Sequence, residues 1–429
     1  MKVVIGLFIK SKDDTAPATP PNIHWLDFSV LEELRSLHAL QASRLTDSVA
    51  IVKWQRKFQA QPTQNNNGEV VPDVMLWAET RQFEMKVGSP VKLEGELGFA
   101  VNGASGNLTT QISVEDFLRS VDTRIAAGQT SRTALVFWGH GDGPGAVVMI
   151  RRPPAENFAS AGQTPMQATS FVVGDWLDLL ELHHALSDAR RRAIKKYDVL
   201  CFNACQVATL ELATVLQPHG RLMVANQSGT PVRHGLPFRE WPLALDPSFA
   251  PDDAAIARQI VTAYSRTARP RNVISVVALD KIAPVLGALT AVCRTLLLDW
   301  TLWADTFHAA AIRCPVIPHS FADKRDLVKF FSALALDAAG SPAPSPLAAQ
   351  CTELVTQAHA AVVGTSTCRE SAIYGYNGLS IFLPDGTLPV SKYARVVYAS
   401  PNAAFDDLNN TGWPEVVRQY LALLRQTDG

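Results

Sequence analysis

Charge of one sign is what this 429-residue chain most clearly lacks: 39 Lys and Arg stand against 40 Asp and Glu, a formal net charge of −1. That balance argues against a nucleic-acid or membrane surface built on bulk charge. Cysteine is sparse as well. Six residues are scattered without a CxxC pair or zinc-ligand spacing, which speaks against a disulfide framework and fits reduced thiols in a cytoplasm. Unbroken apolar runs are missing too. The longest apolar region, 282–312, is interrupted by Arg294, Asp299 and Asp305, so it reads as a buried helix pair rather than a membrane span. The opening MKVVIGLFIKSKDD has neither the longer apolar region nor the small-residue cleavage site of a secretory leader, and reads as a first strand. What is plentiful is apolar residue, 47% of the chain, enough for one large domain or two medium ones.

The organising stretch is DVLCFNACQVAT, from Asp198 to Thr209. Val199 to Phe202 is a short apolar run with the character of a buried strand. It turns through Asn203 and Ala204 to Cys205, and Val207, Leu210, Leu212, Val215 and Leu216 continue in a helical pattern. A strand feeding a helix in this way puts Cys205 at the carboxyl edge of a parallel sheet, where open α/β sheets bind ligands. Upstream, Ala134 to Trp138 is a second apolar strand that ends in Gly139-His140-Gly141-Asp142-Gly143-Pro144-Gly145. If the two strands are parallel neighbours, His140 and Cys205 share one edge. An imidazole that can take the thiol's proton is the minimal apparatus of covalent catalysis. The glycines allow close backbone approach, and the amides of Gly141 and Cys205 could hold an oxyanion. A helix N-terminus just after Cys205 would lower its pKa.

Plainer readings compete. Cys201 lies inside the apolar run and reads as core. Gly141 to Ala146 fits G-x-G-x-x-A, but Pro144, Pro153 and Pro154 oppose a helix there and no Lys-Ser/Thr follows. His183, His184, His219, His234 and His319 have no ligand spacing. No acidic loop with calcium spacing is present, and the chemistry needs no metal.

The rest of the chain sets the frame. Lys2–Ile9 and Val49–Trp54 read as strands. Phe28–Ala42 is an amphipathic helix with Leu31, Leu34, Leu37 and Leu40 inward. Residues 70–98 look like a hairpin insertion at a sheet edge. Ser113–Ala126 is a helix with a capping pattern at Ser113 and Asp116. Arg151 to Ser170 is a long loop of the kind that is often functional or mobile. Val173–Leu186 is a helix, Arg221–Asn226 a strand, Asp252–Arg266 a helix and Asn272–Leu279 a strand. A mainly helical region runs from Ile282 to about Val363, broken by the stiff 340–346 linker. Leu379–Leu383 is a strand and Trp413–Leu424 a closing helix. Alternation of strands and helices predicts an α/β fold, a mostly parallel sheet with helices on both faces. Residues 1–281 are the expected core and 282–429 a helical extension packing on the same domain.

Strand-His-Gly, some sixty residues, then strand-Asn-Ala-Cys-helix resembles the clostripain-like cysteine peptidases, relatives of the caspases, gingipains and legumains. The likeness runs from about residue 112 to 425. It extends through Val224-Ala225-Asn226-Gln227, Gly235–Phe238, Ser275–Ile282, Lys324–Val328 and Asn377–Pro384. It implies a caspase-like fold and a peptidase acting on protein or peptide substrates. Cys205 would be the nucleophile, His140 the base, and Asn203 and Gln227 part of the substrate pocket. It also implies activation by cleavage between the two strands, with Arg151, Arg152, Arg191 and Arg192 as processing sites, cut by the enzyme itself or by a partner protease. Calcium enters only by family analogy, as does a role in bacterial stress or antiphage proteolysis. The family usually has Asp where this chain has Asn203. A neutral amide cannot anchor Arg as a carboxylate does. Either Asp175, Asp178 or Glu240 supplies that charge, or the pocket takes another side chain. The rival reading is a catalytically silent caspase-like interaction module.

Overall fold

The computed structural model describes residues 2–10, 30, 33–34, 36–37, 45, 48–55, 80–87, 111–126, 130–139, 141, 148–152, 172–177, 179–192, 196–229, 236–267, 273–317, 324–341, 345–366, 375–385 and 405–427. Short runs of Val, Ile, Leu and Phe form the strands of an eight-stranded sheet: β1 (Lys2–Lys10), β2 (Val49–Gln55), β3 (Thr80–Lys86), β4 (Thr130–Trp138), β7 (Tyr197–Asn203), β8 (Gly220–Asn226), β9 (Ile274–Ala278) and β11 (Val362–Thr365). The order is β11-β9-β8-β7-β4-β1-β2-β3. The five strands from β2 to β8 are mutually parallel, and β3, β9 and β11 pair antiparallel at the rims. The fold is therefore α/β with a mostly parallel sheet.

Period-two alternation sorts the strand residues between two cores. Phe8, Leu135, Phe137, Leu200, Phe202 and Ala225 face one layer, in which Phe137 and Phe202 stack at 5.2 Å. That layer holds α1 (Gln111–Ala126), α2 (Leu179–Arg192), α3 (Leu210–Leu216), α5 (Ile282–Leu298), α6 (Trp300–Arg313), α7 (Leu327–Ala339), α8 (Leu347–Ala361) and α9 (Trp413–Thr427). Ile5, Leu7, Val136, Trp138, Val199, Cys201 and Val224 face the other, with Val30, Leu34, Leu37, Trp241 and α4 (Asp253–Thr267). Leu31 and Leu40, expected on the same helix stripe, lie outside the described residues.

The helical region from 282 opens with two helices, α5 and α6, that meet at Asp299. Leu279–Leu298 is long and apolar enough to cross a membrane, yet Val285, Leu289, Val292 and Leu296 of α5 are buried in the protein core. Asp299, which breaks the apolar run, caps α6 by accepting from the Leu302 amide at 3.1 Å.

Two expectations are corrected. Residues 172–177 are a strand, β6 (Val172–Leu177), not the start of a helix. It pairs antiparallel with β5 (Val148–Arg152), so Arg151 and Arg152 sit in a hairpin rather than a loop. β-branched Val172 and Val173 favour that extended pairing. The first helix of the apolar layer starts at Gln111, which places Ser113 inside it and not at its cap. The strand expected at Leu379–Leu383 is present as β12 (Ser380–Phe382), which joins β10 (Lys324–Asp326) in a separate two-stranded sheet. Of the hairpin insertion, β3 at the sheet edge is what lies within the described residues.

Lys53 on β2 is an unusual occupant of a buried position. Burial lowers its amine to about 8 while Asp116 of α1 pulls it back up. A base depressed in the folded chain contributes stability fully only above its unfolded pKa, near 10.5, and loses it as pH falls through the folded value. Lys53→Met should therefore gain on wild type by about 3 kcal/mol as pH is lowered from 10.5 to 8. Urea midpoints of both proteins at the two pH values check this; a constant gap between them would contradict it.

Candidate active site

Parallel register brings the two singled-out strands to one edge. Trp138, the last residue of β4, is paired with Asn203, the last of β7, and the Gly139 amide donates to the Asn203 carbonyl at 3.4 Å. At the opposite ends of these strands, Asp198 accepts from the Thr133 amide at 2.9 Å and from Arg221 at 2.9 Å. This ties the register of β4 to that of β7.

Cys205 sits in the turn that follows β7. It is half-buried and in no disulfide. The other described cysteines, Cys201, Cys293, Cys314 and Cys351, are buried. Burial pushes their thiols up, to about 12 for Cys314 and Cys351 and further for Cys201 and Cys293. The turn is pinned at two points along the end of β8. The Gln206 amide donates to the Ser228 carbonyl and the Ala208 amide to the Asn226 carbonyl, each at 3.0 Å. Gln206 is left-handed, with φ of 57°, the one non-glycine residue at positive φ among those described. Such a conformation is strained for a residue with a Cβ and persists where surrounding contacts hold it.

The helix does not begin at Cys205. Thr209 is the cap of α3, its Oγ1 accepting from the Leu212 amide at 3.2 Å. Residues 206–208 therefore stand between Cys205 and the helix cap.

Gly141 is buried in direct apposition to this turn. A Cβ built on it would stand 2.7 Å from the Ala204 Cβ, 2.8 Å from the Cys205 carbonyl oxygen and 3.0 Å from Val207 Cγ1. Only glycine fits, because backbone meets backbone there. His140 and Asp142 lie outside the described residues. Their neighbours Gly139 and Gly141 both touch the segment 203–205.

The two expected pocket residues part company. Asn203 is buried on the sheet face that carries Trp138, and its Oδ1 accepts from the Leu236 amide at 3.3 Å. Gln227 is enclosed in a polar network: its Nε2 donates to Asp326 at 2.8 Å and its Oε1 accepts from the Gly378 amide at 2.8 Å. Both ends of that amide are used within the protein, so Gln227 braces the fold and does not line a pocket. Glu240 pairs with Arg266 at 3.1 Å. Asp178 lies outside the described residues, and of Asp175 only the place on β6 is described. Arg191 and Arg192 form the end of α2, not a loop. His219 is buried in the core beside His183, ring to ring at 5.5 Å.

Sequence reasoning passed over Gln206, Asn226 and Asp326. No sequence signal marks a left-handed glutamine, and a buried aspartate in a Lys-Arg-Asp run looks solvated.

A model of the clostripain family, Peptidase C11, matches residues 104–418. Among solved structures, a secreted C11 cysteine protease from Bacteroides thetaiotaomicron, in complex with an irreversible peptide inhibitor, is similar at TM-score 0.59 and 14% identity, covering 96% of this chain and 99% of that one. A second structure from that organism, "iotapain", gives TM-score 0.57 and 14% identity over 95% and 98%. An inactive zymogen C11 protease from Parabacteroides distasonis gives TM-score 0.55 and 18% identity over 95% and 97%. Identities this low speak to fold alone. A comparison with curated proteins gave no match.

Proposed function

Because the chain belongs to the clostripain family of cysteine peptidases, we propose that it hydrolyses peptide bonds with Cys205 as nucleophile and His140 as general base. His140 takes the thiol proton, and Cys205 Sγ attacks the scissile carbonyl. The oxyanion is held by the amides of Gly141 and Cys205. His140 then returns the proton to the leaving amine, and water cleaves the thioester to release the acid and restore the thiol. The observation that carries this reading is the packing of Gly141 on the Cys205 carbonyl. It supports a base-bearing segment and a nucleophile-bearing turn within bonding reach of one carbonyl. No metal takes part in any step.

A peptide with a thiol-reactive group at its carboxyl end tests this. It should label wild type once, at Cys205 by mass mapping. His140→Ala should slow labelling at least about 100-fold at pH 7, the usual share of a general base. Equal rates in the two proteins remove His140 from the reading, and label on another cysteine removes Cys205.

We further propose activation by cleavage between β4 and β7. The β5–β6 hairpin and α2 stand in that interval. Arg152 is followed by Pro153, which removes the leaving N–H and fixes the backbone, and Arg151 is paired within a strand. Arg192, the last residue of α2, is the candidate whose exposure needs the least unfolding, since helix ends fray.

A further inference from the structure

We infer that the side chain accepted beside Cys205 carries an oxygen acceptor, an amide or a carboxylate, and not the cation of Lys or Arg. This rests on Cys205 being the nucleophile. Asn203 and Asn226 end adjacent parallel strands, β7 and β8, in a register that pairs Phe202 with Ala225. Alternation puts both asparagines on the face of Cys201 and Val224. Both are buried, at 2% and 1% exposure. In each, the amide oxygen is already engaged: Asn203 Oδ1 by the Leu236 amide and Asn226 Oδ1 by the Tyr264 hydroxyl at 3.1 Å. The Leu236 N–H can only donate, so its bond fixes which end of the Asn203 amide is nitrogen, whereas the Tyr264 hydroxyl can donate or accept and leaves the Asn226 amide free to present either end. Each Nδ2 is left buried and without an acceptor among the described residues.

A third donor of the same kind stands close by. Trp241 Nε1 is also buried and unaccepted among the described residues. Its ring is 5.9 Å from Phe238, which is 5.7 Å from Trp138, the register partner of Asn203. One orphaned buried donor is a rarity that asks for an explanation. Asn203, two residues before Cys205, and Trp241 on the same face describe a site that has donors and wants acceptors, with the Asn226 amide beside them on β8. An ammonium or guanidinium brings only further donors and a charge to desolvate. An amide or carboxylate oxygen supplies the acceptor that such donors lack. A site built on hydrogen bonds rejects partners that cannot make them far more strongly than an apolar pocket rejects a misfit.

The test is a panel of fluorogenic peptides that differ only in the residue before the scissile bond: Gln, Asn, Glu, Asp, Leu, Lys and Arg. Wild type should favour an acceptor-bearing residue over Lys and Arg by at least about tenfold in kcat/KM. Comparing Gln and Asn with Glu and Asp tells amide from acid. Asn203→Asp should move the preference to Arg or Lys, because a carboxylate supplies the charge-assisted bond that the amide cannot. The same peptides titrated into Cys205→Ala read the pocket without turnover. A Gln or Glu peptide bound at least about tenfold tighter than the Arg peptide supports the inference even if wild type cleaves nothing, an outcome that would sink only the Cys205 chemistry. Lys or Arg preferred or bound equally well in wild type and in Cys205→Ala overturns it.

Discussion

Cys205→Ala is expected to abolish peptide hydrolysis, a fall on the order of 10⁴- to 10⁶-fold in kcat/KM, the range seen when a covalent nucleophile is removed. The fold should not change. Cys205 is half-buried in a turn held by backbone bonds from Gln206 and Ala208, and exchanging a thiol for a methyl group leaves those bonds intact. Thermal midpoints of the two proteins should agree to within a degree or two, since a near-neutral substitution moves them little. Denaturing gels provide a second readout. If the enzyme processes itself between β4 and β7, wild type separates into two fragments that remain associated in native conditions, whereas Cys205→Ala stays whole until a second protease is added. Fragments from both proteins alike would assign the cut to a partner protease. Turnover that survives in Cys205→Ala would refute the nucleophile assignment, whatever the gel shows.

The strand frame around this candidate site was legible in the sequence because it rests on local patterns. Apolar runs of five or so residues ending in Gly-His-Gly and Asn-Ala-Cys announce parallel strands with chemistry at their carboxyl ends, and β4 and β7 lie side by side in register. Cys201 as core and Asp299 as a break in the apolar region follow from pattern in the same way. The errors arose where tertiary contact overrides pattern. Residues 172–177 carry a helix-compatible spacing but are drawn into a strand by pairing with 148–152. Helix α3 starts at Leu210, later than its apolar spacing implies, because the segment 205–208 is spent on bonds to β8. Gln227 reads as a pocket residue only by the family resemblance. Only the fold reveals that Asp326, some hundred residues on, claims its amide. The orphaned donors were beyond sequence reasoning altogether. Whether an asparagine has one end satisfied depends on a hydroxyl or amide from a distant element.

Asp326→Ala should cost about 3–5 kcal/mol of stability, the range for stripping one partner from a buried charged network. Asp326 is buried at the end of β10 and receives four hydrogen bonds: from the Lys329 amide at 2.7 Å, Asn377 Nδ2 at 3.0 Å, the Asn377 amide at 2.6 Å and Gln227 Nε2 at 2.8 Å. Burial pushes its carboxyl above the ordinary range, and those four donors pull it down. The group caps α7, holds the 377 turn and, through Gln227, grips the Gly378 amide. Alanine takes the acceptor from the buried Gln227 Nε2 and from the half-buried Lys329 and Asn377 amides, while Asn377 Nδ2 keeps the Gly375 carbonyl; each donor left buried without an acceptor costs about 1–3 kcal/mol before relaxation, and the lost helix cap about 1 kcal/mol. Asp326→Asn keeps the shape but turns one acceptor oxygen into a donor facing two others, so it should fall between wild type and alanine. Its neighbour Arg325 gives the contrast: its guanidinium is used on the carbonyls of Ala311, Cys314 and Leu383, so Arg325→Lys should lose part of that clamp while leaving the 377 turn in place. Urea unfolding of the three variants orders these effects. The consequence for catalysis follows from connectivity, since Ser228, next to Gln227, accepts the Gln206 amide that holds the Cys205 turn. Asp326→Asn, if it folds, should therefore lower kcat more than it raises KM. A stability loss below about 1 kcal/mol for Asp326→Ala would show that water replaces the carboxylate and that the network is not what locks β10 and the 377 turn to the sheet.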